Sequence, residues 1–202
     1  MAGNLAFEGT GFTVSRVAVG QLDNNAYLVQ DSATGDTLLV DAPDDAPSLI
    51  DFVGKTRLLG VFTTHGHWDH HQAIPELTHA LGVPFMLHPL DRDIAEKVID
   101  VDIVPGTLTI GNTVATVLHT PGHTPGSVCL SLDGVVLTGD TLFPGGPGAT
   151  RFDHSSFTTI IESIENQLFV LPDDTMVLPG HGDPTTMGTE RPRLASWIDR
   201  GW

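Results

Sequence analysis

The strongest constraint on the fold is a run of apolar, strand-forming residues, LLGVFTT (58–64), that ends abruptly in HGHWDHH (65–71). Five of those last seven residues can ligate a metal ion. His65 and His67 sit two apart where the strand runs out. In an extended chain they point to the same side, so both imidazoles can reach one ion. Gly66 leaves the backbone free to bend between them. Asp69 and His70 follow where a helix is expected to begin, and a carboxylate is favoured at a helix N-terminus. The cluster therefore divides into two pairs that can face neighbouring ions. His71 should turn onto another side of the helix, and Trp68 is expected to pack rather than ligate.

Similar strand ends occur further along the chain. TPGHTPG (120–126) places His123 in a loop between two strands, stiffened by Pro121 and Pro125. LTGD (137–140) ends in Asp140, and LPGHG (178–182) carries His181. A glycine beside each permits close backbone approach. Five His and two Asp are too many for one tetrahedral zinc, but they suit two ions sharing a carboxylate. Any one of them alone would read as a surface or capping residue; seven at strand ends do not. Other residues have two readings each. Asp41, ending TLLVD, either orients a ligand or is an exposed strand-end acid. His119 is placed to support the TPGH loop by hydrogen bonding. Arg151 and His154 could face a substrate, although His154 would equally serve as a cap. His79 and His88 read as structural or exposed.

The elements around these motifs alternate in type. Strands are expected at 12–19, 26–30 and 37–42, and a helix over 46–54 ends at Gly54. A buried strand over 59–64 leads to a helix over 71–82, a strand over 83–88 and a short helix over 91–99 capped by Asp91. Further strands are expected within 108–120 and at 127–132 and 135–140, with Asp133-Gly134 as a hairpin turn. SSFTTIIESIENQLFVL (155–171) is the clearest amphipathic helix, capped by Ser155 or Ser156. A last strand starts at Met176 and runs into LPGHG. Two runs of strands, each followed by helices, imply packed sheets with helices outside.

Composition excludes several functions. The 202 residues carry 9 Lys and Arg against 25 Asp and Glu, a formal charge of −16, which disfavours nucleic acid and anionic lipid as partners. Cys129 is the only cysteine, so no intrachain disulfide forms. That fits a reducing compartment, and its apolar setting, SVCLSL, reads as a core thiol. The stretch MAGNLAFEGTGF has neither a basic start nor a long apolar run, and no segment reaches membrane-spanning length. A cytoplasmic location is expected.

Taken together, the signature H-x-H-x-D-H at His65, His67, Asp69 and His70, completed by His123, Asp140 and His181, resembles that of the metallo-β-lactamase superfamily. The likeness extends from NAYLV and LLVDA through THGHWDHH, TPGHTPGS and LTGDTLF to LPGHG. It implies a four-layer αββα sandwich over 1–202, a single α/β domain with metals at one edge. TPGHTPGS and GDTLF look most like the glyoxalase II (hydroxyacylglutathione hydrolase) branch. By that likeness His65, His67 and His123 hold one metal, Asp69, His70 and His181 hold the second, and Asp140 bridges, with Asp69 and Asp140 as the catalytic carboxylates. Two departures stand out. Glyoxalase II proper has a C-terminal helical domain that helps hold glutathione, whereas this sequence ends soon after His181. PGGPGATRFD (144–153) places Ala149 where a basic residue is expected, with Arg151 two residues on.

The resemblance implies a hydrolase with two divalent ions, zinc first and iron or manganese as alternatives. A hydroxide bridging the ions would attack the carbonyl of a small thioester of glutathione, mycothiol or a similar thiol. Competing readings share the motif. Persulfide dioxygenases resemble this sequence and use one iron held here by His65, His123 and Asp140. Lactone hydrolases place a Tyr near the substrate carbonyl, but Tyr27, the only one, lies in an early strand. β-Lactamases are generally exported and lack the bridging Asp140, and RNA-processing relatives do not suit the charge. A metal-stabilised scaffold without activity is the non-enzymatic alternative.

Overall fold

A computed structural model of the chain describes residues 3–201; Met1, Ala2 and Trp202 lie outside it, and with them part of the N-terminal stretch read above. The first sheet takes strands in chain order: β1 (Asn4–Gly9), β2 (Phe12–Val19), β3 (Asn24–Asp31), β4 (Asp36–Val40), β5 (Arg57–Phe62), β6 (Phe85–Leu87) and β7 (Val101–Asp102). The first four pair antiparallel through short turns, while β4 to β7 run parallel, joined by helical crossovers. The second sheet repeats this plan. β8 (Gly106–Ile110), β9 (Thr113–His119), β10 (Val128–Leu132) and β11 (Val135–Gly139) form an antiparallel meander. After a short ribbon of β12 (Leu142–Phe143) and β13 (Gly146–Pro147), β14 (Met176–Pro179) returns parallel to β11, and β15 (Thr185–Thr186) closes the edge.

Three apolar clusters glue four layers together. Val14, Tyr27, Val29, Leu38, Val40 and Phe62 meet Val117, Leu130, Leu137 and Leu178 between the sheets. Leu28, Leu39 and Val61 face the other way, onto α1 (Ala46–Val53) and α2 (Ile74–Leu81). Val136, Val177 and Cys129 face α4 (Phe157–Ser163) and Trp197 of α6 (Leu194–Arg200). β3 and β4 are therefore covered on both faces, which removes the clean polar alternation of a half-exposed strand. Cys129 is a core thiol, its pKa pushed up by burial to about 11.

Boundaries differ from the sequence reading for local reasons. α2 starts at Ile74, not 71, because Trp68–His70 forms a separate 3-10 turn and Pro75 suits the first turn of a new helix. α3 (Arg92–Ala95) stops where Glu96 turns left-handed, and Asp91 does not cap it with its side chain. α4, capped by Ser156, runs on as a π-type turn over Ile164–Leu168. β1, α5 (Met187–Glu190) and α6 lie in stretches where no element was expected. Among the described residues no helix is long and apolar enough to cross a membrane.

Candidate metal centre

Parallel strands bring their C-terminal ends to one edge of the sandwich. Asp41 follows β4, His65 follows β5, Asp91 follows β6, Asp140 follows β11 and His181 follows β14. His123 arrives in the β9–β10 loop, and the 3-10 turn after His67 swings Asp69 and His70 inward. Gly66 has a tighter requirement than bending. A Cβ there would lie 2.9 Å from both the Cβ and the carbonyl oxygen of Asp91, so space fixes the residue. Gly180 is similar, since a Cβ would come within 2.5 Å of Asp140 Oδ1 and 2.6 Å of the His70 ring.

All seven predicted residues converge. Donor atoms of His65, His67 and His123 lie within 4.8 Å of one another, as do those of Asp69, His70 and His181, and those of His65, His70 and Asp140. Asp140 stands between the two trios. Its Oδ1 is 3.3 Å from His70 Nε2, and its Oδ2 is 3.6 Å from His123 Nε2 and 3.7 Å from His181 Nε2. His65 Nε2, His70 Nε2 and Asp140 Oδ1 are buried without a hydrogen-bond partner, the 3.3 Å approach lacking hydrogen-bond geometry. Orphaned buried polar atoms cost about 1–3 kcal/mol each, so three aimed at one point fit a cation that would satisfy them.

The opposite ring nitrogens are held by the protein. His70 Nδ1 is 2.9 Å from Asp41 Oδ2, and Asp41 also accepts from the Thr64 amide and hydroxyl at 2.7 and 2.9 Å. His65 Nδ1 lies 3.2 Å from Thr64 Oγ1, and His123 Nδ1 lies 2.7 Å from the Ala149 carbonyl oxygen. His67 turns Nδ1 toward His123 Nε2 at 2.9 Å, leaving its Nε2 3.0 Å from His154 Nε2. Such outer contacts fix ring orientation at metal sites.

A sequence profile described as the metallo-beta-lactamase superfamily matches residues 19–181, most of the chain and every one of these candidate ligands. The chain belongs to the metallo-beta-lactamase superfamily. A probable metallo-hydrolase of Bacillus subtilis, YqgX, is 32% identical over 87% of this chain and 93% of its own length. A hydroxyacylglutathione hydrolase of Fuscovulum blasticum is 35% identical over 79% of this chain but only 62% of its own length. The crystal structure of TTHA1623 in a di-iron-bound form superposes with a TM-score of 0.79 at 32% identity, covering 87% of this chain and 96% of that one.

In this superfamily member the two trios differ electrically. Burial, reinforced by neighbouring His70 and His123, holds His65 well below the ordinary histidine range. Burial, with His123 and His154, lowers His67 to about 4, and burial also lowers His123 against the pull of Asp140. His70 goes the other way. Burial opposes its charge, yet Asp140 and Asp41 together raise its pKa well above the ordinary value. His181 is raised likewise, with Asp69 and Asp140 outweighing its burial. Asp69 and Asp140 are driven down despite burial, Asp69 by His181 and His70, Asp140 by His70 and His123. One trio is thus biased toward the neutral imidazoles that ligation needs, while the raised His70 and His181 favour protons that compete with an incoming cation.

The remaining candidates have separate places. Asp41 is buried, not an exposed strand-end acid. His119 Nε2 lies 2.9 Å from the Pro125 carbonyl oxygen and its ring stacks on His88. His71 is buried against the Gly66 carbonyl and Phe85, outside the three donor groups. Tyr27 donates to the Pro179 carbonyl at 2.6 Å and is buried away from the centre. Arg151, with its guanidinium 5.8 Å from the Phe152 ring centroid, and His154 line a cavity of about 380 Å³ over the ligands. Trp68 is 62% exposed and lines that cavity. Two supporting residues escaped the sequence reading. Asn24 donates to the Asp69 carbonyl and carboxylate at 2.8 and 3.1 Å, and lies 3.2 Å from His181 Nε2. The signal was the polar pair Asn24-Asn25 opening an otherwise apolar strand. Asp91, read as a helix cap, instead accepts from Gly66 N, Gly126 N and Thr124 Oγ1.

Proposed function

We propose that the chain is a metal-dependent hydrolase that cleaves S-acyl thioesters of a small thiol. The observation that carries this is the position of Asp140 between two trios, with buried His65 Nε2, His70 Nε2 and Asp140 Oδ1 all lacking hydrogen-bond partners. In this reading His65, His67 and His123 hold one divalent ion, Asp69, His70 and His181 hold a second, and Asp140 serves both. Two ions there would supply Lewis acidity, bringing the pKa of water toward neutrality and polarising a carbonyl. Zinc is our first assignment; the di-iron form of the similar TTHA1623 makes iron the chief alternative.

The chain's own groups complete the reaction. Asp41 keeps His70 oriented through its 2.9 Å contact, and Ala149 does the same for His123. Asp69 and Asp140 are the carboxylates facing the reacting atoms. Arg151 is the only Lys or Arg among the described residues lining the main cavity, and it would anchor an anionic group of the substrate. Leu22, Trp68 and Phe152 make much of the outer wall apolar. A thioester suits this lining, because a thiolate leaves without needing a positioned acid. Neither Cys129, buried in the core, nor any other thiol is available as a nucleophile. The likeness to a hydroxyacylglutathione hydrolase over 79% of this chain supports the same chemistry.

Metal analysis of natively purified protein, paired with a panel of small thioesters, tests the proposal. Two ions per chain with thioester turnover is expected. A single iron with oxygen uptake on a persulfide would replace it with the dioxygenase reading. Turnover of lactones alone would favour lactonase activity, and a loaded protein without turnover of either would favour a scaffold.

A further inference from the structure

Trp68 and Leu22 are 62% and 52% exposed, and they stand side by side at the edge of the metal centre. Large apolar side chains this open, beside a site, ask for a ligand surface to cover them. On their far side lies a second cavity of about 250 Å³, which shares Leu22, Trp68 and Asp69 with the main one. The two are therefore contiguous, separated by a low apolar wall. The second cavity has room for roughly eight water volumes, enough for a ring-sized group. Its chemistry differs from that of the first. Gln21 and Gln72 are exposed there, with no side-chain hydrogen bond among the described residues, and Asp44 contributes a carboxylate. No Lys, Arg or His is among its described lining residues, whereas Arg151 lies in the other cavity.

We propose that this second cavity is the subsite for the thiol-bearing arm of the substrate, and that it selects an arm rich in hydroxyl, amide or amine donors over an anionic one. The inference rests on the thioester reading above. With the scissile carbonyl over the ligands, one arm runs toward Arg151 and the other crosses Trp68. An arm crossing Trp68 meets two primary amides, which both donate and accept, and the Asp44 carboxylate, which only accepts, so hydroxyl, amide or amine groups find partners at all three. A dicarboxylate arm such as that of glutathione meets the Asp44 carboxylate instead, with no Lys, Arg or His among the described lining residues to offset it.

Three thioesters sharing one acyl group test this: those of N-acetylcysteamine, which has no such arm, of cysteinyl-glucosamine, which is hydroxyl-rich, and of glutathione. The metal-loaded enzyme should prefer the cysteinyl-glucosamine thioester to the glutathione one by about tenfold or more in kcat/KM, the size of one discriminating hydrogen bond or charge contact. Gln72→Leu should raise KM for the cysteinyl-glucosamine thioester several-fold and leave the N-acetylcysteamine thioester unchanged. A preference for glutathione, or an equal effect of Gln72→Leu on all three, would overturn the subsite. Binding of free cysteinyl-glucosamine, read by tryptophan fluorescence with Trp68→Phe as the control, needs no turnover. Binding that Gln72→Leu weakens, in a protein that hydrolyses no thioester, would sink the thioester reading and leave the subsite standing. Absence of binding and of preference would sink the subsite alone.

Discussion

Removing the carboxylate of Asp91 should cost more than removing most surface acids, although Asp91 touches none of the proposed ligand side chains. The side chain is fully buried and accepts from Gly66 N at 2.7 Å, Gly126 N at 2.6 Å and Thr124 Oγ1 at 2.5 Å. It thereby ties the loop carrying His65 and His67 to the loop carrying His123. In Asp91→Ala, Thr124 keeps a partner in Ser127 Oγ at 2.8 Å, but two buried backbone N–H groups lose theirs. At about 1–3 kcal/mol for each orphaned donor, the loss is about 2–6 kcal/mol. That is a large part of the roughly 5–15 kcal/mol available to a domain. Asp91→Asn keeps one acceptor oxygen and turns an NH2 toward a donor, so it should lose roughly half as much. Urea unfolding in the presence of a chelator measures the effect free of metal linkage. If Asp91→Ala unfolds within about 0.5 kcal/mol of wild type, the size of an ordinary surface substitution, the clamp is not as described.

Three other outcomes are expected. Asp41→Asn should lower affinity for the second ion by about 10–100-fold. The fold should survive, because Asn tolerates the left-handed backbone at φ 61°; unchanged affinity in competition with a chromophoric chelator would remove Asp41 as the orienting group of His70. Asp140→Ala should reduce both metal stoichiometry and turnover with the circular dichroism spectrum unchanged, and two ions retained per chain would refute the bridging position. The pH prediction follows from opposite shifts. His65, His67 and His123 titrate below the ordinary histidine value near 6.5, so protons compete for that trio only in more acid solution. His70 and His181 titrate above it, so protons compete for that trio at higher pH than for the first. Calorimetry in buffers of different ionisation enthalpy should show more proton release with the second ion than with the first, and acidification should weaken the second before the first. Equal release at both steps would refute the split.

Much of the centre was legible because metal ligation restricts residue type severely, and strands deliver ligands at their ends. HGHWDHH, TPGH, LTGD and LPGHG could be read in that way without knowing which sheet each joined. Local pattern failed where a residue's partner is distant in sequence. Asp91 sits at a plausible cap position, yet its acceptors face loops 25 and 35 residues away. Asn24 meets Asp69 and His181 only because the start of β3 lies beside the loop after β14. That Trp68 stands exposed beside the cavity was not legible either, since its neighbours Leu22 and Asn24 come from a distant segment.

By itself, then, the sequence determined the inventory of candidate ligands, the two-sheet plan and the family signature, since these depend on residue type and short-range spacing. The tertiary structure alone decided which buried donor atoms lie together without partners, which imidazoles are shifted toward the neutral form and which toward the charged one, and where Trp68 borders a second cavity. Those properties arise from burial and from through-space electrostatics between chain segments that only folding brings together.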